Sequence, residues 1–197
     1  MAIKQKKCKQ CKQLFAPVKL LQSVCGFKCA GLYAIAQREK KEANLKRIER
    51  KKTKEALEAI KPTKELLKDA SRWFNKYIKL RDAHLPCISC GRYEIGTDTW
   101  DCGHFRTVGS AKHMRFIEDN AHKQCSSCNR GSEKYIQKRE LVAMAYEDNL
   151  RLRIGDERVD IIKRDNTQRH YTPDEARALK AKYKSLCYEL ENKEPSK

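Results

Sequence analysis

Two quartets of cysteines set the terms on which this chain can fold. Cys8-Lys9-Gln10-Cys11 is followed after thirteen residues by Cys25-Gly26-Phe27-Lys28-Cys29, and Cys87-Ile88-Ser89-Cys90 is followed after 34 residues by Cys125-Ser126-Ser127-Cys128. Four thiolates on paired short spacings close a tetrahedral zinc site, whereas thiols needed only for packing have no reason to recur in pairs. A site of four cysteines leaves zinc no open position, so each quartet is expected to hold a structural Zn²⁺ that does no chemistry. The first thirty residues contain too little apolar material for a core, and metal would have to hold them together. Pro86-Cys87-Ile88-Ser89-Cys90 also matches half of the zinc deaminase signature. The other half, an upstream His-x-Glu, is missing: His84 is the only upstream histidine and Pro86 stands where the Glu would be.

Compartment and charge narrow the reading further. No apolar run approaches the roughly 18 residues of a membrane span, and Met1-Ala2-Ile3-Lys4 leads into Lys and Cys instead of a signal core. A cytoplasmic location with no membrane partner is expected, and there thiols stay reduced and available to metal. Of a net charge of +18 over 197 residues, the first 61 contribute 17 basic and 5 acidic residues, a net +12. Such a field draws polyanions.

Three zones follow from composition: a zinc module of four cysteines over 1–30, a basic helical linker over 31–61 and a globular domain over 62–197. The linker is rich in Lys, Arg, Glu and Ala with sparse apolar residues, which predicts a solvated helix. Lys40, Lys41, Arg47, Arg50, Lys51 and Lys52 are its candidates for phosphate contacts. Past Pro62, the residues Leu66, Ala70, Trp73, Phe74, Tyr77 and Ile78 recur at helical spacing and predict a core-facing helix that ends before Pro86. Thr97 to Phe105 is long enough for a short strand, with Gly91, Gly96, Gly103 and Gly109 marking turns around it. A helix is expected over 138–149. A last one opens on Thr172-Pro173-Asp174-Glu175, a capping box with proline at the first helical position. Its stripe, Ala176, Leu179, Tyr183, Leu186 and Leu190, can pack on the domain or on a second copy.

The segment inside the second quartet holds Trp100-Asp101-Cys102-Gly103-His104-Phe105-Arg106, then Asn120-Ala121-His122-Lys123-Gln124-Cys125, then Cys128-Asn129. A histidine on a hairpin, an Asn five residues before a knuckle and a polar residue directly after its last Cys resemble the HNH, or His-metal finger, nucleases. With the N-terminal quartet, the basic helix and the Thr-Pro-Asp-Glu helix, the chain resembles the bacteriophage NinG family, the Rap recombination endonucleases. The resemblance implies an α+β fold with a zinc-stapled ββα-metal core, flanked by helices and preceded by the knuckle module. It implies a Mg²⁺-dependent endodeoxyribonuclease, with Mn²⁺ as a substitute, acting on Holliday junctions and D-loops.

It also suggests roles. His104, with an ordinary pKa near ~6.5, suits a general base. Asn129 matches a metal ligand, and Asp101 is the nearby carboxylate. Many relatives carry the acidic ligand directly before the base histidine, where this chain has Gly103. Residues three apart in a regular strand face opposite sides, so Asp101 joins His104 only if a bulge at Gly103 turns it. Asn120 matches a residue that pins the loop carrying the base. His122 is either a phosphate or metal contact or a loop histidine, and Arg106 either holds the scissile phosphate or is an exposed strand arginine. His84, His113 and His170 lack partners at ligand spacing, Cys102 and Cys187 read as packing residues, and Trp73 and Trp100 as core anchors. Symmetric cutting of a junction calls for a homodimer, with phage recombination proteins as further partners. The alternative function is a non-catalytic, zinc-dependent DNA-binding accessory module, which would have no use for the constellation from His104 to Asn129.

If the N-terminal charge contacts DNA phosphates, deleting residues 1–61 will weaken junction binding and flatten the dependence of log K on log salt by about 0.9 per lost contact. Binding titrations at several salt concentrations check this, and an unchanged slope removes the basic helix from the interface.

Overall fold

A knuckle needs a tight reversal between its two cysteines, and the chain makes the first one inside a hairpin. The computed structural model describes residues 4–95, 99–130 and 136–192; Gly96 and Thr97, read above as turn and strand, lie outside them. Strand β1 (Lys6–Lys7) pairs antiparallel with β2 (Leu14–Phe15), and the Cys8–Cys11 loop forms the turn. Lys12 takes a left-handed φ of 64° there. Helix α1 runs Phe27–Ala59, four residues earlier than composition suggests, so that Cys29 lies in its first turn. It buries no residue. At 33 residues it is about 50 Å long, and Lys40, Lys41, Arg47, Arg50, Lys51 and Lys52 are all exposed along it.

The chain divides into compact units of residues 1–60 and 61–197. The second is a mixture of helices and one small sheet, built on α2 (Thr63–Arg81). Leu66, Ala70, Phe74 and Ile78 recur every four residues and are all fully buried. They meet α6 (Pro173–Asn192), whose start is the expected capping box: the Glu175 amide donates to Thr172 Oγ1 at 3.2 Å and the Thr172 amide to the Glu175 carboxylate at 2.8 Å. Ala176, Tyr183 and Cys187 are buried on this side. The terminal stripe therefore packs within its own unit, the first of the two expectations for it. Phe74 is the hub, edge-on to Tyr183 at 4.9 Å and to Phe116 at 5.6 Å between ring centroids.

The sheet is an antiparallel pair, β3 (Trp100–His104) and β4 (Ala121–Cys125), followed at once by α3 (Ser126–Arg130). The register pairs Trp100 with Cys125, Asp101 with Gln124, Cys102 with Lys123, Gly103 with His122 and His104 with Ala121. Because strand side chains alternate, Cys102, His104 and Ala121 share one face and Asp101, His122 and Gln124 the other. The first face lies on α2, where Ala121 and Cys102 join the Phe74 cluster. The second is covered by α4 (Ile136–Ile154), which is longer than expected and brings Tyr146 and Leu150 against Ile88 and Val159. A helix that periodicity does not suggest, α5 (Asp156–Arg164), follows after one residue, Gly155, whose φ of +88° allows so abrupt a restart.

A buried ion network fixes α2 to the sheet. Arg81 donates to both Asp82 carboxylate oxygens at 2.7 and 3.0 Å and to the Ala121 carbonyl at 2.8 Å, while Asp82 accepts the Lys123 amide at 3.0 Å. Burial opposes ionisation of Asp82, but Arg81 and the Lys123 amide outweigh it and hold the carboxyl below its ordinary range. Among the described residues no helix is long and apolar enough to cross a membrane.

Removing the hub should cost what a large buried aromatic costs. Phe74→Ala is expected to destabilise the protein by about 3–5 kcal/mol, measured by urea unfolding of the zinc-loaded chain. A loss under about 1 kcal/mol would contradict its place at the centre of the core.

Candidate metal and nucleic-acid site

Each cysteine quartet comes together in space, with all four sulfurs within 4.8 Å of one another. A Zn–S bond of about 2.3 Å in tetrahedral geometry separates sulfurs by about 3.8 Å. The observed separations fit: Cys11–Cys25 3.7 Å and Cys25–Cys29 3.4 Å in one site, Cys87–Cys125 3.6 Å and Cys90–Cys125 3.8 Å in the other. Both clusters can bind zinc. In each, an amide donates to the sulfur of the first cysteine at 3.3 Å, from Cys25 to Cys8 and from Cys125 to Cys87.

Burial alone would raise Cys8, yet hydrogen bonds from the amides of Cys11, Cys25 and Gln10 bring it down to about 6. Cys125 falls to about 6 in the same way, its burial outweighed by Ser127 and the Cys128 amide. In the first cluster Cys25 is pushed up to about 12, chiefly by its contact with Cys29. Four sulfurs this close cannot all be thiolates without a cation among them. Gly91, with φ +69°, closes the second knuckle beyond Cys90, where the Cys87 amide meets the Arg92 carbonyl at 2.8 Å.

His104 ends β3 on the face toward α2, its ring 5.9 Å from that of Phe74. Its Nε2 lies 3.0 Å from the Arg115 carbonyl. A carbonyl only accepts, so Nε2 carries the proton and Nδ1 keeps the basic lone pair. Burial, reinforced by the Arg115 charge and partly opposed by the backbone of Arg115 and Cys102, holds the ring below its ordinary 6.5. The structure fixes this loop through Asn120. Fully buried, Asn120 accepts the Arg106 amide at 2.8 Å and donates to the carbonyls of Arg106 at 3.0 Å and Met114 at 3.2 Å.

The other expected residues separate. The pairing of β3 with β4 runs without a bulge through Gly103, so Asp101 stays on the face opposite His104. It meets α3 instead, where Asn129 Nδ2 and Arg130 Nε donate to it at 3.2 and 3.3 Å. Burial would raise its carboxyl, but Asn129, Ser126 and Arg130 keep it low and ionised.

Arg106 is half-buried, not an exposed strand residue. It lies beyond the strand and its guanidinium donates to the carbonyls of Ile162 and Asp165 and to Asn166, tying the end of α5 to the loop. His122 is not in a loop but inside β4, 3% exposed beneath Tyr146, and burial with the charges of Arg81 and Arg153 takes it down to about 4. It stays neutral and away from solvent. His84 and His170 are exposed, while His113 Nε2 lies 3.0 Å from the Asp165 carbonyl.

Two grooves meet at His104. One is lined by Lys68, Ser71, Arg72, Asn75 and Arg115, the other by Gln124, Asn129, Arg130, Arg139 and Tyr146. The first is cationic and no sequence motif announces it, although 68, 71, 72 and 75 form a polar stripe at helical spacing. Arg72 and Lys68 are themselves exposed and meet Asp69 and Glu65 in pairs three residues apart, which phosphate can outcompete. The second carries the amides of Gln124 and Asn129 together with Arg130 and Arg139, and Asn129 reaches from it to the Asp101 carboxylate.

Comparison with known proteins adds the lineage. A family model described as bacteriophage lambda NinG protein matches residues 1–194. The chain is 37% identical over 199 residues to protein ninG of Escherichia phage 933W, covering 95% of this chain and 94% of that one. It is 34% identical over 201 residues to protein ninG of Escherichia phage lambda, with the same coverage. To protein ninG of Salmonella phage P22 it is 33% identical over 199 residues, covering 94% of each. No solved structure matches.

The two thiol clusters make a count that can be tested. Thiol titration of the purified protein should release two Zn²⁺ per chain, while Cys11→Ser and Cys90→Ser should each retain one. A single zinc in the unaltered protein would leave one quartet unexplained.

Proposed function

Because the chain belongs to the NinG family, we propose that it is a metal-dependent DNA endonuclease of the HNH type that cuts branched recombination intermediates, Holliday junctions and D-loops. The observation that supports this best is the placement of His104. Its Nε2–H is held by the Arg115 carbonyl, which leaves Nδ1 basic, and it stands where two grooves lined by cations meet.

On this reading each groove has a task. Arg72, Arg115 and Lys68 hold a DNA phosphate by charge-assisted hydrogen bonds. His104 Nδ1 takes a proton from the attacking water, and Nε2–H, anchored on the Arg115 carbonyl, keeps the ring from rotating as charge develops. Asp101 and Asn129 would hold Mg²⁺, which when bound supplies charge neutralisation at the scissile phosphate and leaving oxygen. Asn120 acts through the loop it fixes and touches no substrate. The exposed cations of α1 add sequence-independent affinity for the DNA backbone.

Two active sites are needed to resolve a four-way junction symmetrically, so the proposal includes a homodimer on DNA. A second reading, a non-catalytic recombination accessory, is favoured only by the concentration of charge on α1.

The test is cleavage of an end-labelled four-way junction with Mg²⁺, beside a linear duplex of the same sequence. His104→Ala should lower junction cleavage by about 10²–10⁴-fold and leave zinc content and DNA binding unchanged. Because burial lowers the His104 pKa, the neutral base persists to lower pH. The acid limb of kcat/KM should therefore fall below 6.5. No nicking by a folded, zinc-loaded, junction-binding protein would favour the accessory reading.

A further inference from the structure

We propose that the turn carrying Leu20 and Leu21 is an apolar wedge that enters the open base stack of branched DNA, which gives the first unit a part in selecting branches over continuous duplex. The proposal rests on the branched-DNA half of the reading above and is independent of cleavage.

A turn is where a chain ordinarily places glycine, proline or short polar residues. Here the Gln22 amide meets the Lys19 carbonyl at 3.0 Å, which closes a four-residue turn with Leu20 and Leu21 at its two central positions. They are 75% and 92% exposed, and Val18 just ahead of them is exposed as well. Large apolar side chains gathered at the tip of a turn mark a contact surface.

The turn is braced from below. Gln22 spans it, its Oε1 accepting the Val18 amide at 2.8 Å and its Nε2 donating to the Val24 carbonyl at 3.0 Å. Lys6 Nζ, on β1, donates to the Leu20 carbonyl. The Ser23 carbonyl accepts the Lys9 amide at 2.9 Å, next to Cys8, whose sulfur receives the Cys25 amide. A frame tied to the first thiol cluster thus presents the leucines, and little ordering is left to be done when they meet a partner.

The surroundings point to the occupant. From Lys4 to Lys28 there are seven lysines and no Asp or Glu. In the same unit the exposed cations continue along α1, and charge drawn out along one helix fits a linear polyanion. An apolar tip in an all-positive rim calls for a partner that is anionic at its edge and apolar within. Nucleic acid is both, with phosphates outside and base faces inside. A continuous duplex keeps those faces stacked, and a wedge entering it must unstack a step. A branch already interrupts the stack, so a leucine can cover an open base-pair face without that cost. Lysines hold phosphates as point charges and demand no single geometry, which suits arms leaving a branch in several directions. Phe27, 94% exposed where α1 begins, offers its ring to a further unstacked base.

The experiment compares binding of the full-length, zinc-loaded protein to a four-way junction and to a linear duplex of the same sequence, without Mg²⁺, with 2-aminopurine at the branch to report unstacking. Leu20→Ser combined with Leu21→Ser should weaken junction binding by at least about tenfold and duplex binding by less than about twofold, as expected of apolar contacts made only at the branch. The unaltered protein should raise the 2-aminopurine fluorescence, and the double serine variant should not. Leu20→Met combined with Leu21→Met should keep both properties, and every variant should keep two zinc ions. Junction preference unchanged in the double serine variant, or junction and duplex binding weakened equally, would overturn the proposal. So would loss by that variant of binding to phosphatidylglycerol vesicles with junction binding intact, which would assign the turn to an anionic membrane. Equal binding of junction and duplex by the unaltered protein would overturn the branched-DNA reading and this proposal with it. Absence of cleavage with the junction preference intact would sink the nuclease reading alone.

Discussion

The arrangement around His104 depends on four sulfurs drawn together from two distant stretches of chain. Cys87 and Cys90 sit on a loop that has no regular structure of its own, and Cys125 and Cys128 close β4 and open α3. Bringing them within zinc distance docks that loop along β4, where the Ile88 amide meets the Lys123 carbonyl at 3.1 Å. Three consequences follow. Ser89 reaches Gln124, Ile88 seeds the cluster that holds α4 and α5, and Asn129, one residue past the last ligand, is set beside Asp101. A two-stranded sheet with such short strands is marginal by itself. The Arg81–Asp82–Lys123 network braces it on one side, and zinc held by the four sulfurs would clamp the other end.

What can be read from sequence is whatever depends on local spacing. The quartets are legible because metal chemistry fixes the distance between ligands along the chain. Helices α2 and α6 are legible because a four-residue apolar period and a capping box each need only one turn of chain. Asn120 is legible as a loop anchor because its motif is compact.

Sequence reasoning fails where partners are far apart. Arg106 meets the end of α5 some sixty residues on, and no local pattern announces a guanidinium that caps another helix. His122 resembles a site residue because it follows Asn120, but strand parity in β4 turns it inward beneath Tyr146. The close approach of the Gln124 side chain to Gly103 is a cross-strand contact, invisible until the register is known. The start of α1 inside the first zinc module is hidden because Phe27 and Lys28 say little about helix formation, whereas a knuckle followed by a helix shares its last ligand with the first turn. Helix α5 escapes notice because a single glycine separates it from α4, too short a break to look like a boundary.

The groove charges have a second effect that bears on a base beside DNA. A histidine next to Arg115 and near Arg72 and Lys68 is discouraged from protonating, and burial pushes the same way. The cations that would gather a phosphate therefore also keep Nδ1 deprotonated while the site is free. On the nuclease reading, a phosphate arriving in that groove cancels part of the positive potential at His104. Its affinity for a proton then rises when a water is in place to supply one. Base strength would thus be coupled to substrate occupancy by electrostatics alone, without any movement of the loop that Asn120 holds. Asp101 on the far side of the strand does not interfere, because Arg130 and Asn129 already neutralise much of its field. The unbroken strand therefore keeps the Asp101 carboxylate, with its Arg130 and Asn129 partners, on the face away from the base. A bulge at Gly103 would have brought the carboxylate to the histidine, raised its pKa and weakened that separation.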